Sequence, residues 1–118
     1  ELANYIQTIR LPYNLNTLSQ VAAEAALADQ EFLARTVSQN AAERDIWESL
    51  FDELRIHYYK SEANFIFFTV PDADGLAEVW LSAGYQVRRG QRPNWLRLTI
   101  PAAQDGDRMR AILREYVA

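Results

Sequence analysis

Arg97 is the side chain in this sequence best suited to chemistry. The run from Trp95 to Ile100 alternates, with Leu96, Leu98 and Ile100 facing one way and Trp95, Arg97 and Thr99 the other. That spacing predicts a strand with a guanidinium at its centre. Held on a rigid strand, a guanidinium grips a carboxylate or phosphate through two parallel hydrogen bonds. Arg88, on a predicted strand from Tyr85 to Arg88, supplies a second fork if the two strands lie side by side. The alternative for Arg97 is an arginine on a wet sheet face, paired with a surface carboxylate. Arg89 and Arg92 flank a loop containing Gly90 and Pro93 and read as solvated basic positions.

The other reactive residue types point away from catalysis. Lys60 is the one lysine among 12 basic residues. A catalytic amine must be desolvated, and nothing beside Tyr58 and Tyr59 demands that, so Lys60 reads as structural. His57 is the single histidine and cysteine is absent, which excludes disulfides and all but excludes a zinc site. His57 reads as a packing residue at a helix end. Asp72, Asp74 and Gly75 lack the third acidic position, the glycine spacing and the closing glutamate of a calcium loop. A helix cap explains them better. No P-loop, dinucleotide fingerprint or nucleophile elbow occurs in the chain.

Positioning these residues requires an α+β domain. Leu2, Ile6 and Ile9 form one stripe of a leading helix end, which Pro12 stops. Asn14 or Asn16 then caps a helix bearing Leu15, Leu18, Val21, Ala22 and Ala25. Asp29 caps a long helix from about Gln30 to Arg55. Its apolar residues gather at the two ends, and the stretch Ser38 to Asp45 is expected to face solvent. Phe65 to Phe68 is a continuous apolar run ending at Val70, expected as a strand buried on both faces. Asp72 or Asp74 caps a short helix with Leu76, Val79, Trp80 and Ala83 inward, stopped by Gly84. Asp105 is expected to cap a last helix whose Met109, Ile112, Leu113 and Tyr116 face inward. The resulting order is ααβαββα after the leading helix end, a small three-stranded sheet covered by helices.

At 118 residues, with 49 % hydrophobic residues, the chain fits a single domain. No apolar stretch approaches the ~20 residues that span a bilayer, and nothing resembles a signal peptide. A net charge of −4 with both signs interleaved does not suit a nucleic-acid clamp. These features together predict a cytoplasmic protein without nucleic-acid or membrane partners.

Four motifs add a resemblance. Arg10 to Gln20 (RLPYNLNTLSQ), running into an alanine-rich helix, resembles the segment leading into the C-terminal domain of histidinol-phosphate aminotransferases. Ser61 to Phe65 (SEANF), Gly84 to Arg88 (GYQVR) and Leu96 to Ile100 (LRLTI) are similar to that family's later motifs, in the same order. The resemblance implies the C-terminal small domain of a fold-type I, pyridoxal-phosphate-dependent aminotransferase over residues 1–118. Residues 1–11 would then be the tail of an interdomain helix. The cofactor would be held as a Schiff base by a large domain outside this chain, so no cofactor and no turnover are expected of these residues alone. Arg97 stands at the position of the family's arginine for the substrate's anionic group. Arg88 stands at that of a second arginine, for the phosphate of histidinol phosphate or the side-chain carboxylate of glutamate. Asn64 matches a family asparagine that either binds substrate or closes the strand end, and Tyr13 and Asn14 fall near the domain junction. Lys60 stands where the family commonly has proline, and Pro101 where it commonly has glycine. The implied activity is transamination between histidinol phosphate and 2-oxoglutarate in histidine biosynthesis, by a homodimer. A stand-alone, non-catalytic module of the same fold, binding a small anion or a protein, is the alternative.

Overall fold

The computed structural model describes residues 2–9 and 15–118, so Pro12, Tyr13 and Asn14 lie outside the described residues. The elements are α1 (Leu2–Ile9), α2 (Thr17–Ala28), α3 (Gln30–Glu53), β1 (Tyr58–Tyr59), β2 (Phe65–Thr69), α4 (Ala73–Ser82), β3 (Arg88–Arg89), β4 (Trp95–Thr99) and α5 (Ala103–Val117). The sheet is antiparallel throughout, in the order β1-β2-β4-β3. The α+β class is as expected, but there are four strands rather than three. β1 is two residues long, too short to show any period. The strand expected over Tyr85–Arg88 is confined to Arg88–Arg89.

Local chemistry explains most of the boundaries. Asn16 caps α2 by accepting from the Ser19 N–H at 2.8 Å, and Asp29 accepts from Phe32 N–H at 2.9 Å to start α3. Asp72, not Asp74, caps α4 through the Gly75 N–H at 2.9 Å. Asp105 does not cap α5. The helix begins at Ala103 behind Ala102, and Asp105 lies in its first turn. There it favours the positive end of the helix dipole and accepts from the Tyr85 hydroxyl at 3.2 Å. α4 ends in a Schellman arrangement, Gly84 N–H donating to Leu81 and Tyr85 N–H to Trp80, with Gly84 at φ +91°. α3 ends the same way at Arg55, whose φ of 55° is unusual for a side chain of that size.

The sequence reads as one domain, but the structure groups into two compact units, residues 1–34 and 35–118, with the boundary inside α3. The cause is where apolar surface is buried. α2 has no buried residue, and Leu18, Val21, Leu27, Phe32 and Leu33 are exposed. The second unit holds the core. Trp47 and Phe51 of α3 pack against Phe68 of β2 and Trp80 of α4, with Leu96, Leu98 and Leu113 closing the centre. In β2 only Ile66, Phe68 and the following Val70 are buried, while Phe65, Phe67 and Thr69 are half-buried on the opposite face. This strand is therefore covered by helices on one side, not on both. On α4, Val79 is exposed instead of inward, because Ala73, Leu76, Ala77 and Trp80 form the buried stripe.

The middle of α3 also departs from expectation. Glu43 is buried and accepts from Arg110 of α5 at 2.8 Å, the Arg110 guanidinium lying over the Trp47 ring. Burial pulls the Arg110 pKa down, but the hydrogen bonds and charges of Glu43 and Asp107 outweigh it and raise it overall. Glu43→Ala strands that charge and should cost about 3 kcal/mol in denaturant unfolding, whereas Glu43→Leu with Arg110→Met should recover most of the loss. Equal losses in both variants would contradict a charge-burial origin. Near the C-terminal end of α5, the Tyr116 hydroxyl, followed by the Gly75 N–H, holds the Asp72 carboxyl below its ordinary value of 3.8. A carboxyl lowered on folding stabilises the fold above that value and loses its contribution as pH falls below it. The stability gap between wild type and Asp72→Asn should accordingly be full above about pH 5 and close in stronger acid, read as Tm against pH.

Candidate functional site

β4 inherits its two-sidedness from the core. Leu96 and Leu98 are almost fully buried, so Arg97 between them must stand on the open face of the sheet. There it forms part of a cross-sheet row. Tyr59 pairs with Phe67, Phe67 with Arg97, and Arg97 with Arg88. The two candidate arginines are thus direct cross-strand partners, as the paired-fork reading requires. Like charges so placed repel unless something neutralises them.

Arg97 is half-buried, its guanidinium 5.0 Å from the centre of the Phe65 ring. Its Nε is buried and has no hydrogen-bond partner. Among the described residues no carboxylate lies within ion-pair distance of Arg88, Arg92 or Arg97. The surface carboxylate that the wet-face alternative pairs with Arg97 is thus not found among the described residues. A cleft of about 430 Å³ opens over these residues, bounded by Tyr59, Phe67, Trp95, Arg88, Arg92 and Arg97. That is the size range of small-molecule sites. In the larger grooves along α3 and α5 and beside the end of α5, the principal charged and hydroxyl groups bond one another. Arg114 grips Glu53, Arg110 grips Glu43, and Tyr116 bonds Asp72.

Arg89 behaves differently from its neighbour. Rather than being a freely solvated basic residue, it donates from Nε to Asp74 at 2.6 Å and from Nη2 to Glu78 at 2.7 Å, both on α4. The Glu78 hydrogen bond, followed by that of Asp74, raises its pKa. This clamp fastens a two-residue edge strand to a helix and so sets where Arg88 stands. Sequence reasoning missed it because the partners lie 15 and 11 residues away. Asn64 is exposed before β2 begins, its backbone carbonyl accepting from Ile100 N–H at 2.9 Å. It does not border the arginine cleft. Lys60, the one amine that could carry pyridoxal phosphate, is exposed past the end of β1 and does not border it either. Among the described residues, no phosphate-binding group stands beside this amine to make a site for that cofactor. Among the described residues no cluster of three metal-ligating side chains is found, and no helix is long and apolar enough to cross a membrane.

Comparison with known proteins adds a family. The model of the family Aminotransferase class I and II matches residues 1–115. A histidinol-phosphate aminotransferase of Limosilactobacillus fermentum is 52 % identical over 98 % of this chain and 32 % of its own length. One of Lactiplantibacillus plantarum is 49 % identical over 96 % of this chain and 32 % of its own. The chain thus spans about a third of the length of the curated relatives it matches. Among solved structures, a putative aminotransferase of Burkholderia pseudomallei superposes with a TM-score of 0.80 at 24 % identity, covering 99 % of this chain and 37 % of that one. A histidinol-phosphate aminotransferase of Sinorhizobium meliloti, solved with pyridoxal 5'-phosphate, superposes at 0.75 and 24 % identity over 98 % of this chain and 34 % of that one. These superpositions establish the shared fold.

The clamp gives a prediction. Asp74→Asn with Glu78→Gln should accelerate hydrogen exchange at the Gly90 amide, which donates to Trp95 across the β3–β4 hairpin. Exchange at the β2–β4 pairing should stay unchanged. An unaltered Gly90 amide would mean that β3 holds its place without the clamp.

Proposed function

Since the chain belongs to the aminotransferase class I and II family, we propose that it is the C-terminal, substrate-anchoring domain of a pyridoxal-phosphate-dependent aminotransferase acting on histidinol phosphate, with glutamate and 2-oxoglutarate as the partner pair. One observation carries this reading. Arg97 and Arg88 are cross-strand neighbours without carboxylate partners, and one of them has a buried, unused N–H. Two such forks suit a dianion better than a single carboxylate. The identity of 52 % and 49 % to proteins named histidinol-phosphate aminotransferase favours a phosphate monoester as that dianion.

On this reading the domain contributes binding and orientation. Arg97 accepts the anionic end of the substrate on a face already fixed by the core, so little ordering is needed at the moment of binding. Arg88 shares the charge, and the half-buried aromatic floor limits competition from water. The cofactor's amine-transfer chemistry belongs to another part of the enzyme, in keeping with exposed Lys60. Asn64, set apart from the cleft, is given a strand-closing role. A cytoplasmic homodimer is part of the same proposal, on family resemblance alone.

In the complete enzyme, Arg97→Ala should lower kcat/KM for histidinol phosphate by about 2–4 kcal/mol of transition-state binding. Arg97→Lys should recover only part of this, because an ammonium lacks the fork. An unchanged kcat/KM in the alanine variant would sink the assignment.

A further inference from the structure

The arginines occupy only one side of the cleft. The other is aromatic, and nothing in anion binding explains it. Tyr59 and Trp95 lie nearly parallel, ring centres 5.1 Å apart at 13°. His57 stands edge-on to both, 5.6 Å from each ring. The backbone locks this group in place. Thr69 N–H donates to the His57 carbonyl, and Thr69 pairs with Trp95, so the imidazole and the indole face each other across β2. Gly90 lets the hairpin close on Trp95, since a Cβ there would come within 2.7 Å of the Trp95 Cβ. Despite this fixing, Tyr59 is 58 % exposed. A rigid aromatic wall left open to solvent, beside guanidinium groups without counter-ions, is matched by a ligand carrying a planar ring and an anion at opposite ends.

We infer that Tyr59 and Trp95 form a stacking subsite for the planar ring of the substrate, so that the cleft selects a heteroaromatic phosphate over an aliphatic dicarboxylate. This rests on the proposed anchoring of the substrate anion by Arg97. It extends that reading by assigning specificity to two residues outside the arginine pair. The ring adds to the existing aromatic group while the phosphate reaches Arg97 and Arg88, neighbours of Phe67 and Tyr59 in the same cross-sheet row. An aliphatic dicarboxylate fills the anion end only. Pyridoxal phosphate has the same combination of ring and phosphate, so the test must separate the two.

The test is an amide chemical-shift titration of the 118-residue chain with four probes: histidinol phosphate, inorganic phosphate, glutamate and pyridoxine phosphate. Histidinol phosphate should bind about five- to tenfold more tightly than inorganic phosphate, the increment of one aromatic contact. Tyr59→Leu and Trp95→Leu should each erase most of that advantage and leave phosphate affinity unchanged. Arg97→Ala should weaken both ligands together. Amide spectra of the variants that keep the wild-type dispersion establish that each remains folded. An unchanged ratio in both aromatic variants overturns the stacking subsite and leaves the arginine reading standing. No shift with any of the three phosphate compounds up to about tens of millimolar overturns both. Pyridoxine phosphate binding more tightly than histidinol phosphate overturns the assignment to substrate in favour of a cofactor-type ring.

Discussion

Leu96 and Leu98 cannot leave the core without opening a cavity beside Phe68 and Trp80, and Arg97 stands where it does because they stay. A side chain on a strand has two directions available, and burial of its neighbours takes one of them. The same constraint acts on β2, where Ile66 and Phe68 turn inward and Phe65 and Phe67 therefore line the open face beneath the guanidinium. The position of the site is thus a by-product of packing on the far side of the sheet. Changing Leu98 and changing Arg97 would disturb the same cleft by different routes, one through the scaffold and one through the charge that lines it.

Two kinds of polar contact hold the second unit together, and they differ in what they risk. The buried Glu43–Arg110 pair couples α3 to α5, and breaking one partner leaves a charge in a place where it has little water. The Arg89 clamp and the Arg114–Glu53 pair are exposed, so each contributes orientation more than stability. This division suits a domain whose frame must be firm while its edge strand carries Arg88, the second arginine of the proposed anion site.

The legible parts of the sequence were those with a local signature. Alternation through Leu96, Arg97 and Leu98 identified the strand and its outward arginine. Asn16, Asp29 and Asp72 were readable as caps because the N–H groups that donate to them lie three residues ahead. β2 misled because aromatic residues occupy both of its faces, so hydropathy could not distinguish a doubly covered strand from one with an apolar open side. Glu43 misled for another reason. A charged residue among alanines looks solvated unless its partner is known, and Arg110 is 67 positions away. Asn64 entered through family resemblance alone, and the geometry sets it apart from the cleft.

Both edges of the sheet, β1 and β3, are two residues long. An edge that short exposes very little of the backbone ladder that another chain would need to extend the sheet. One of the two edges also carries Arg88, whose charge, unlike that of Arg89, has no carboxylate partner and would repel a second copy of the same strand. The protein thereby keeps an aromatic, partly open sheet face in water while denying incoming strands a place to begin pairing.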